Sequence, residues 1–173
     1  MRLILLNKDT AQEAIKPVIN EIASGLNVGV ISEAGCPGVA DPGALAVGLA
    51  HQAGVEVIPL VGPSSILLAL MASGLNGQSF AFHGYLPIER TDRLRTLQKL
   101  ETDSRVKNQT QIFIETPYRN NGLIQDMLYN CRINTLLCIA ADLTGPEQFI
   151  KTASIAKWKA EIPDLNRRPA IFM

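Results

Sequence analysis

Short apolar runs alternate with segments of helical spacing along the chain. Leu3 to Leu6, Val28 to Ile31 and Val55 to Val61 read as strands. A helix from a cap at Asp9 or Thr10 to Gly25 separates the first two, and a helix from Asp41-Pro42-Gly43 to Ala53, stopped by Gly54, separates the next two. The aspartate accepts the free N–H groups of a first turn, and proline at the first helical position has no N–H to lose. After the Gly62-Pro63 turn, Ser64 caps a third helix ending at Gly74. Strand and helix repeated with short loops predict parallel strands.

The later pattern differs. Phe80 to Tyr85, Gln111 to Ile114, Leu136 to Ala140, Phe149 to Thr152 and Ala170 to Met173 read as strands. Glu89 to Glu101, Asn120 to Asn130 and Ile155 to Glu161 read as helices. Strands that follow one another without a helix between them pair antiparallel, so a mixed sheet is expected. The fold class is α/β, as two domains: residues 1–78 with a parallel sheet and residues 79–173 with a mixed one.

Composition narrows the class. The chain has 173 residues, 47% hydrophobic and 18% charged, which is a folded protein rather than a disordered one. Lysines and arginines equal aspartates and glutamates at 16 each, so phosphate attraction does not dominate the whole chain. The balance is uneven: residues 1–86 carry three basic against six acidic side chains, and residues 87–173 thirteen against ten. Three cysteines, Cys36, Cys131 and Cys138, and two histidines lack metal-ligand spacing, so no metal is expected. The longest uninterrupted apolar run, Ile66 to Ala72, is too short to cross a bilayer. A reduced cytoplasmic protein is expected.

Two loops concentrate small residues: ISEAGCPGVADPG over 31–43 and VGPSS over 61–65. Both follow strands and precede helices, where open α/β sheets bind ligands and helix N-termini favour anionic groups. Neither fits GxGxxG or the GxxxxGK[ST] phosphate loop.

These blocks, with FAFHGYLP over 80–87 and IFIETPYR over 112–119, resemble in order the ribosomal RNA small-subunit methyltransferase I family, part of the tetrapyrrole-methylase superfamily. The resemblance implies methyl transfer from S-adenosylmethionine to a cytidine ribose 2′-hydroxyl of 16S rRNA in the 30S subunit. It also implies a homodimer with the cofactor between two α/β domains. Carried over by position, Ala34, Gly35 and Cys36 fall where the superfamily has Gly-Gly-Asp beside the methionine part of the cofactor, and Val39 matches the apolar contact that follows. Ser64 and Ser65 match a small-hydroxyl pair, Glu115 a residue ending a second-domain strand, and Leu143 a backbone contact near the adenine. Cys36 replaces an acidic residue of the tetrapyrrole enzymes, which speaks against that substrate branch.

Two departures follow from the resemblance. The family's opening glycine- and proline-bearing loop and its acidic–arginine motif have no counterpart, so the chain corresponds to the last two-thirds of such an enzyme. In ADLTGPEQ, Ala141 and Gly145 stand where rRNA-modifying relatives carry arginine and lysine. Methylation of another small molecule or protein therefore stays open, as does a dimeric remnant unable to bind the cofactor. No catalytic residue is assigned. Glu33 is a candidate base or a solvated loop carboxylate, His83 a cleft residue or a satisfied histidine, and His51 a helix-end cation. The charged segment 89–107 reads as a solvated helix face, Tyr118 and Arg119 as groups able to stack a base and pair with phosphate. Trp158, Phe149, Cys131 and Cys138 read as core.

Overall fold

Side-chain alternation along three strands separates two apolar layers across one sheet. Phe113, Leu137, Ile139 and Phe172 join one layer, while Ile112, Cys138, Ala140 and Ile171 join the other. Successive side chains on a strand point to opposite faces, so each strand serves both layers. The computed structural model describes residues 2–33 and 35–173. They form two units, Met1–Ser64 and Ser65–Met173.

In the second unit the strands are β1 (Phe80–Tyr85), β2 (Thr110–Ile114), β3 (Leu136–Ala141), β4 (Phe149–Ser154) and β5 (Ala170–Phe172). Their order is β1-β2-β5-β3-β4. β1 is parallel to β2, and β5 lies antiparallel between β2 and β3. β3 and β4 form an antiparallel pair in unbroken register from Leu136↔Ser154 to Ala141↔Phe149. The mixed sheet is present as expected.

Helices α4 (Arg90–Lys107), α5 (Asn120–Asn130) and α6 (Ile155–Ala160) supply Leu97, Leu100, Leu123, Ile124, Met127 and Trp158 to the first layer. Trp158 is buried and donates its indole N–H to the Leu137 carbonyl at 2.9 Å, so its polar edge is satisfied. Phe149 packs edge-on against it. Helix α3 (Ser65–Ser73) covers the second layer with Ala69 and Leu70, and Thr152 of β4 donates to the carbonyl of Ser73 at 2.7 Å. Helix α4 runs six residues past the expected Glu101 and stops at Asn108, whose φ of 49° is left-handed. Asparagine tolerates that conformation better than most residues.

The first unit holds helices α1 (Gln12–Ala23) and α2 (Gly43–Gln52). Ile15 and Ile19 pack against Leu49 and Ala50, with Leu6, Ile22, Val55 and Val57 around them. Both helices end on a glycine with positive φ, Gly25 at 105° and Gly54 at 68°. The following N–H groups return to the last turn, Leu26 to Glu21 O at 3.2 Å and Val55 to Ala50 O at 2.9 Å.

Residues 3–6, 28–31 and 55–61, expected as strands, carry no ladder among the described residues. Two of the runs are only four residues long, and Pro59 removes a ladder donor from the third. Leu3, Leu5, Ile31 and Leu60 stay exposed. The apolar pattern in this region marks side chains that favour burial; pairing needs a neighbouring strand as well. The parallel pairing that does occur joins β1 and β2.

Candidate functional site

Asp41 organises the long loop of the first unit. Its Oδ2 accepts from the Ser32 hydroxyl at 2.8 Å, and its Oδ1 accepts from Gly43 N at 3.1 Å and Gly38 N at 3.3 Å. The Ser32 hydroxyl, then the two backbone N–H groups, hold this carboxyl below its ordinary value. Gly35, Gly38 and Ala40 all take positive φ, which bends residues 35–40 tightly around the carboxylate. Gly43 leaves little room for a side chain, since a Cβ there would meet Gly38 N at 3.0 Å.

Cys36 lies on this loop, half-buried, with its Sγ 3.6 Å from the carbonyl of Pro63. That contact brings the two small-residue loops of the first unit together. Gly35 and Val39 are exposed on the same loop, and Ser64 is half-buried at the end of the unit. Ala34 lies outside the described residues. Glu33 is exposed.

In the second unit β1, β2 and β3 run in one direction, so their carboxyl ends share one edge. Glu115 follows β2 and Leu143 follows β3 at that edge, while Ser65 begins α3. The Glu115 side chain is only 1% exposed. Its Oε1 accepts from Thr116 N at 2.6 Å and from Arg119 Nη2 at 2.6 Å. Its Oε2 is buried and has no donor among the described residues. Nearby, Asn120 donates from Nδ2 to the carbonyl of Arg168 at 2.6 Å, while its Oδ1 is also without a donor. A buried acceptor left unpaired costs about 1–3 kcal/mol. Two of them within six residues point to a donor-bearing ligand or water.

Leu143 sits between two non-glycine residues of positive φ, Asp142 at 48° and Thr144 at 67°. Each such residue costs roughly 1–2 kcal/mol, and strain of this kind gathers at functional loops. Arg168 Nε donates to Asp142 Oδ2 at 2.5 Å, and Asp142 N–H donates to the Pro169 carbonyl at 3.0 Å. The loop is therefore tied to the start of β5.

Other expectations resolve individually. His83 is hydrogen-bonded through Nε2 to Gln111 Oε1 at 2.7 Å, on the exposed side of β1. His51 occupies the last turn of α2. Arg90 and Arg93 of the charged segment turn to Asp126 of α5, and Lys107 pairs with Asp103 at 3.0 Å, so the expected solvated face holds for the exposed positions while Arg93 is drawn inward, its side chain 12% exposed. Among the described residues, no group of three potential metal ligands exists, and no helix is long and apolar enough to cross a membrane. Sequence reasoning missed Asp41 as more than a helix cap, and missed Arg167 and Arg168 altogether. The Arg-Arg-Pro run ahead of β5 was the available signal.

No family model matches the chain. Curated relatives do. Ribosomal RNA small subunit methyltransferase I of Vibrio cholerae is 36% identical over 94% of this chain and 56% of its own length. The proteins of that name from Escherichia coli O157:H7 and from Buchnera aphidicola subsp. Acyrthosiphon pisum are 30% and 32% identical over 96% and 92% of the chain. The chain spans a little over half the length of these relatives, 56–57%. Among solved structures, the methyltransferase CobJ superposes with a TM-score of 0.60 at 20% identity, covering 93% of this chain and 70% of that one. Diphthine synthase gives 0.59 at 14% identity, over 80% and 55%. Over nearly its whole length, then, the chain is homologous to the ribosomal RNA small subunit methyltransferase I family, on the fold seen in CobJ and diphthine synthase.

Proposed function

We propose that this chain is the part of an S-adenosylmethionine-dependent methyltransferase that methylates a cytidine ribose 2′-hydroxyl of 16S-type rRNA. The observation that carries the reading is the buried Glu115 carboxylate, with one oxygen lacking a donor at the carboxyl end of β2. At the same edge of the sheet, with β5 between β2 and β3, lies the strained turn around Leu143. S-adenosylmethionine carries N–H and O–H donors on its adenine, ribose and ammonium groups, so an orphaned acceptor and a backbone-lined turn suit it. The relatives' names supply the acceptor class.

When bound, the cofactor supplies a methyl group on a sulfonium. The chain's own residues do the rest. In the second unit Glu115 Oε2 would accept from the cofactor, Leu143 would offer backbone groups, and Ser65 would offer a hydroxyl. In the first unit Ala34, Gly35, Cys36 and Val39 are assigned to the methionine side, with Ser64 as a hydroxyl partner. Asp41 holds that loop in shape through Ser32, Gly38 and Gly43. In-line displacement draws most of its rate from alignment, which rigid loops serve. The functional boundary we propose places residues 1–78 in a cofactor-binding domain and residues 79–173 in a second domain. A homodimer in the cytoplasm is the proposed assembly, checked by light scattering.

A second reading, a methylase of another small molecule or protein, draws on Ala141 and Gly145. Ala141 is buried, and a Cβ at Gly145 would meet the Asp142 carbonyl at 3.1 Å. Neither position presents a cation. Calorimetric titration with S-adenosylhomocysteine tests the cofactor, and labelled methyl transfer to 30S subunits tests the acceptor. Absence of binding sinks the enzymatic reading and leaves the remnant. Binding without transfer to RNA sinks the rRNA assignment.

A further inference from the structure

Three arginines, Arg119, Arg167 and Arg168, stand around the carboxyl edge of the sheet, and carboxylates engage two of them. Arg119 is held by Glu115, and Arg168 by Asp142 and the Glu147 carbonyl. Arg167 has no carboxylate partner among the described residues; its guanidinium lies over the Tyr118 ring, 5.9 Å from the centroid. Tyr118 is 75% exposed.

This arrangement is held by more than chance surface contact. Arg167 takes a left-handed φ of 62° and donates its N–H to the Pro117 carbonyl at 3.1 Å. Leu165 N–H donates to Asn121 Oδ1 at 2.8 Å, and buried Asn120 donates to the Arg168 carbonyl at 2.6 Å. The Pro117–Arg119 turn and the 164–168 loop are thus stitched together, and a strained backbone residue presents the free cation beside an open aromatic ring.

We infer that Tyr118 and Arg167 form a platform for one unpaired nucleotide of the substrate, its base stacked on the Tyr118 ring and its phosphate on the Arg167 guanidinium. Aromatic rings accept any base, and arginine matches phosphate geometry. A base inside a duplex already stacks on both faces, so the platform selects a looped or extruded nucleotide. The inference rests on the RNA acceptor proposed above.

The test titrates the full chain with a labelled single-stranded RNA of about twelve nucleotides and with the same strand in a duplex, over a range of salt. S-adenosylhomocysteine binding is followed in parallel. Tyr118→Ala should weaken single-strand binding roughly tenfold, while Tyr118→Phe should stay within about twofold. Arg167→Gly keeps the left-handed backbone but removes the charge, and should lower the salt slope by about 0.7. Arg95→Ala, at an exposed position of α4, controls for general charge loss. Tyr118→Ala binding like the parent, or duplex binding as tightly as single strand, overturns the platform. Loss of S-adenosylhomocysteine binding and methyl transfer with Tyr118-dependent RNA binding intact would sink the enzymatic reading and leave the platform standing. Methyl transfer to RNA unaffected by Tyr118→Ala would do the reverse.

Discussion

Arg93 and Asp126 form an ion pair almost out of contact with solvent, their side chains 12% and 3% exposed. Arg93 places Nε and Nη2 on Asp126 Oδ2 at 2.8 and 2.6 Å, while its Nη1 reaches the Ile88 carbonyl at 2.8 Å. One side chain therefore joins α4, α5 and the segment that leaves β1. Asp126→Ala strands a nearly buried guanidinium and should cost about 3–5 kcal/mol. The double variant Arg93→Met with Asp126→Leu should recover much of that loss. Urea unfolding of Arg93→Met, Asp126→Leu and their double variant gives the coupling; an additive cycle would contradict the pairing.

Two glycines of α2 should respond oppositely to alanine. Gly48 has nothing within 4 Å of an added Cβ, so Gly48→Ala should stabilise the helix by about 0.5–1 kcal/mol. Gly43→Ala drives a Cβ to 3.0 Å from Gly38 N and 3.2 Å from Val30 Cγ1. It should lower the melting temperature and weaken S-adenosylhomocysteine binding by distorting the Asp41 loop.

Acid should open that loop. The Asp41 carboxyl is held below its ordinary 3.8 by the Ser32 hydroxyl first and the Gly43 and Gly38 N–H groups next. A carboxyl depressed in the folded state contributes stability above its unfolded value, and that contribution is lost as pH falls through the folded one. The window lies below 3.8. Asp41→Asn should flatten the pH dependence of unfolding there, and Ser32→Ala should narrow it; unchanged profiles would show that the loop is held otherwise.

Burial, and then the Glu101 carboxylate, push the Cys131 thiol up to about 12. Native Cys131 should resist iodoacetamide at neutral pH, because little thiolate forms. Above the ordinary thiol value of 9.0 the unfolded chain ionises this group while the fold does not, so stability falls as pH climbs from 9.0 towards 12. Mass-spectrometric labelling against pH checks the first point. Cys131→Ser, with a raised alkaline limit of unfolding, checks the second.

Local pattern foretold much of the second unit. Phe80–Tyr85 and Asn120–Asn130 begin and end where the apolar spacing and flanking turn residues place them. The apolar spacing predicts too short an α4 because residues 102–107 carry no apolar stripe; its length is set by where Asn108 can turn left-handed. Residues 3–6 and 28–31 show the opposite failure, since a strand pattern states a preference and pairing needs a partner. At the candidate site, Glu115 and Leu143 are expected from motif resemblance alone. Asp41's second role and the exposure of Arg167 depend on the positive φ angles at Gly38 and Arg167 and on the close approach at Gly43, which no periodicity encodes.

The central place of β5 bears on the order in which the sheet assembles. β1 and β2 lie thirty residues apart, and β3 and β4 are joined by a short connection, so each pair can form early from chain already made. Neither pair touches the other along a ladder except through Ala170–Phe172. Phe113 must wait for Phe172, and Ile139 for the same residue. Long-range closure of this kind slows folding and leaves strand edges open meanwhile. On a translating ribosome the two half-sheets therefore wait, edges exposed, until three residues near position 171 slot between them.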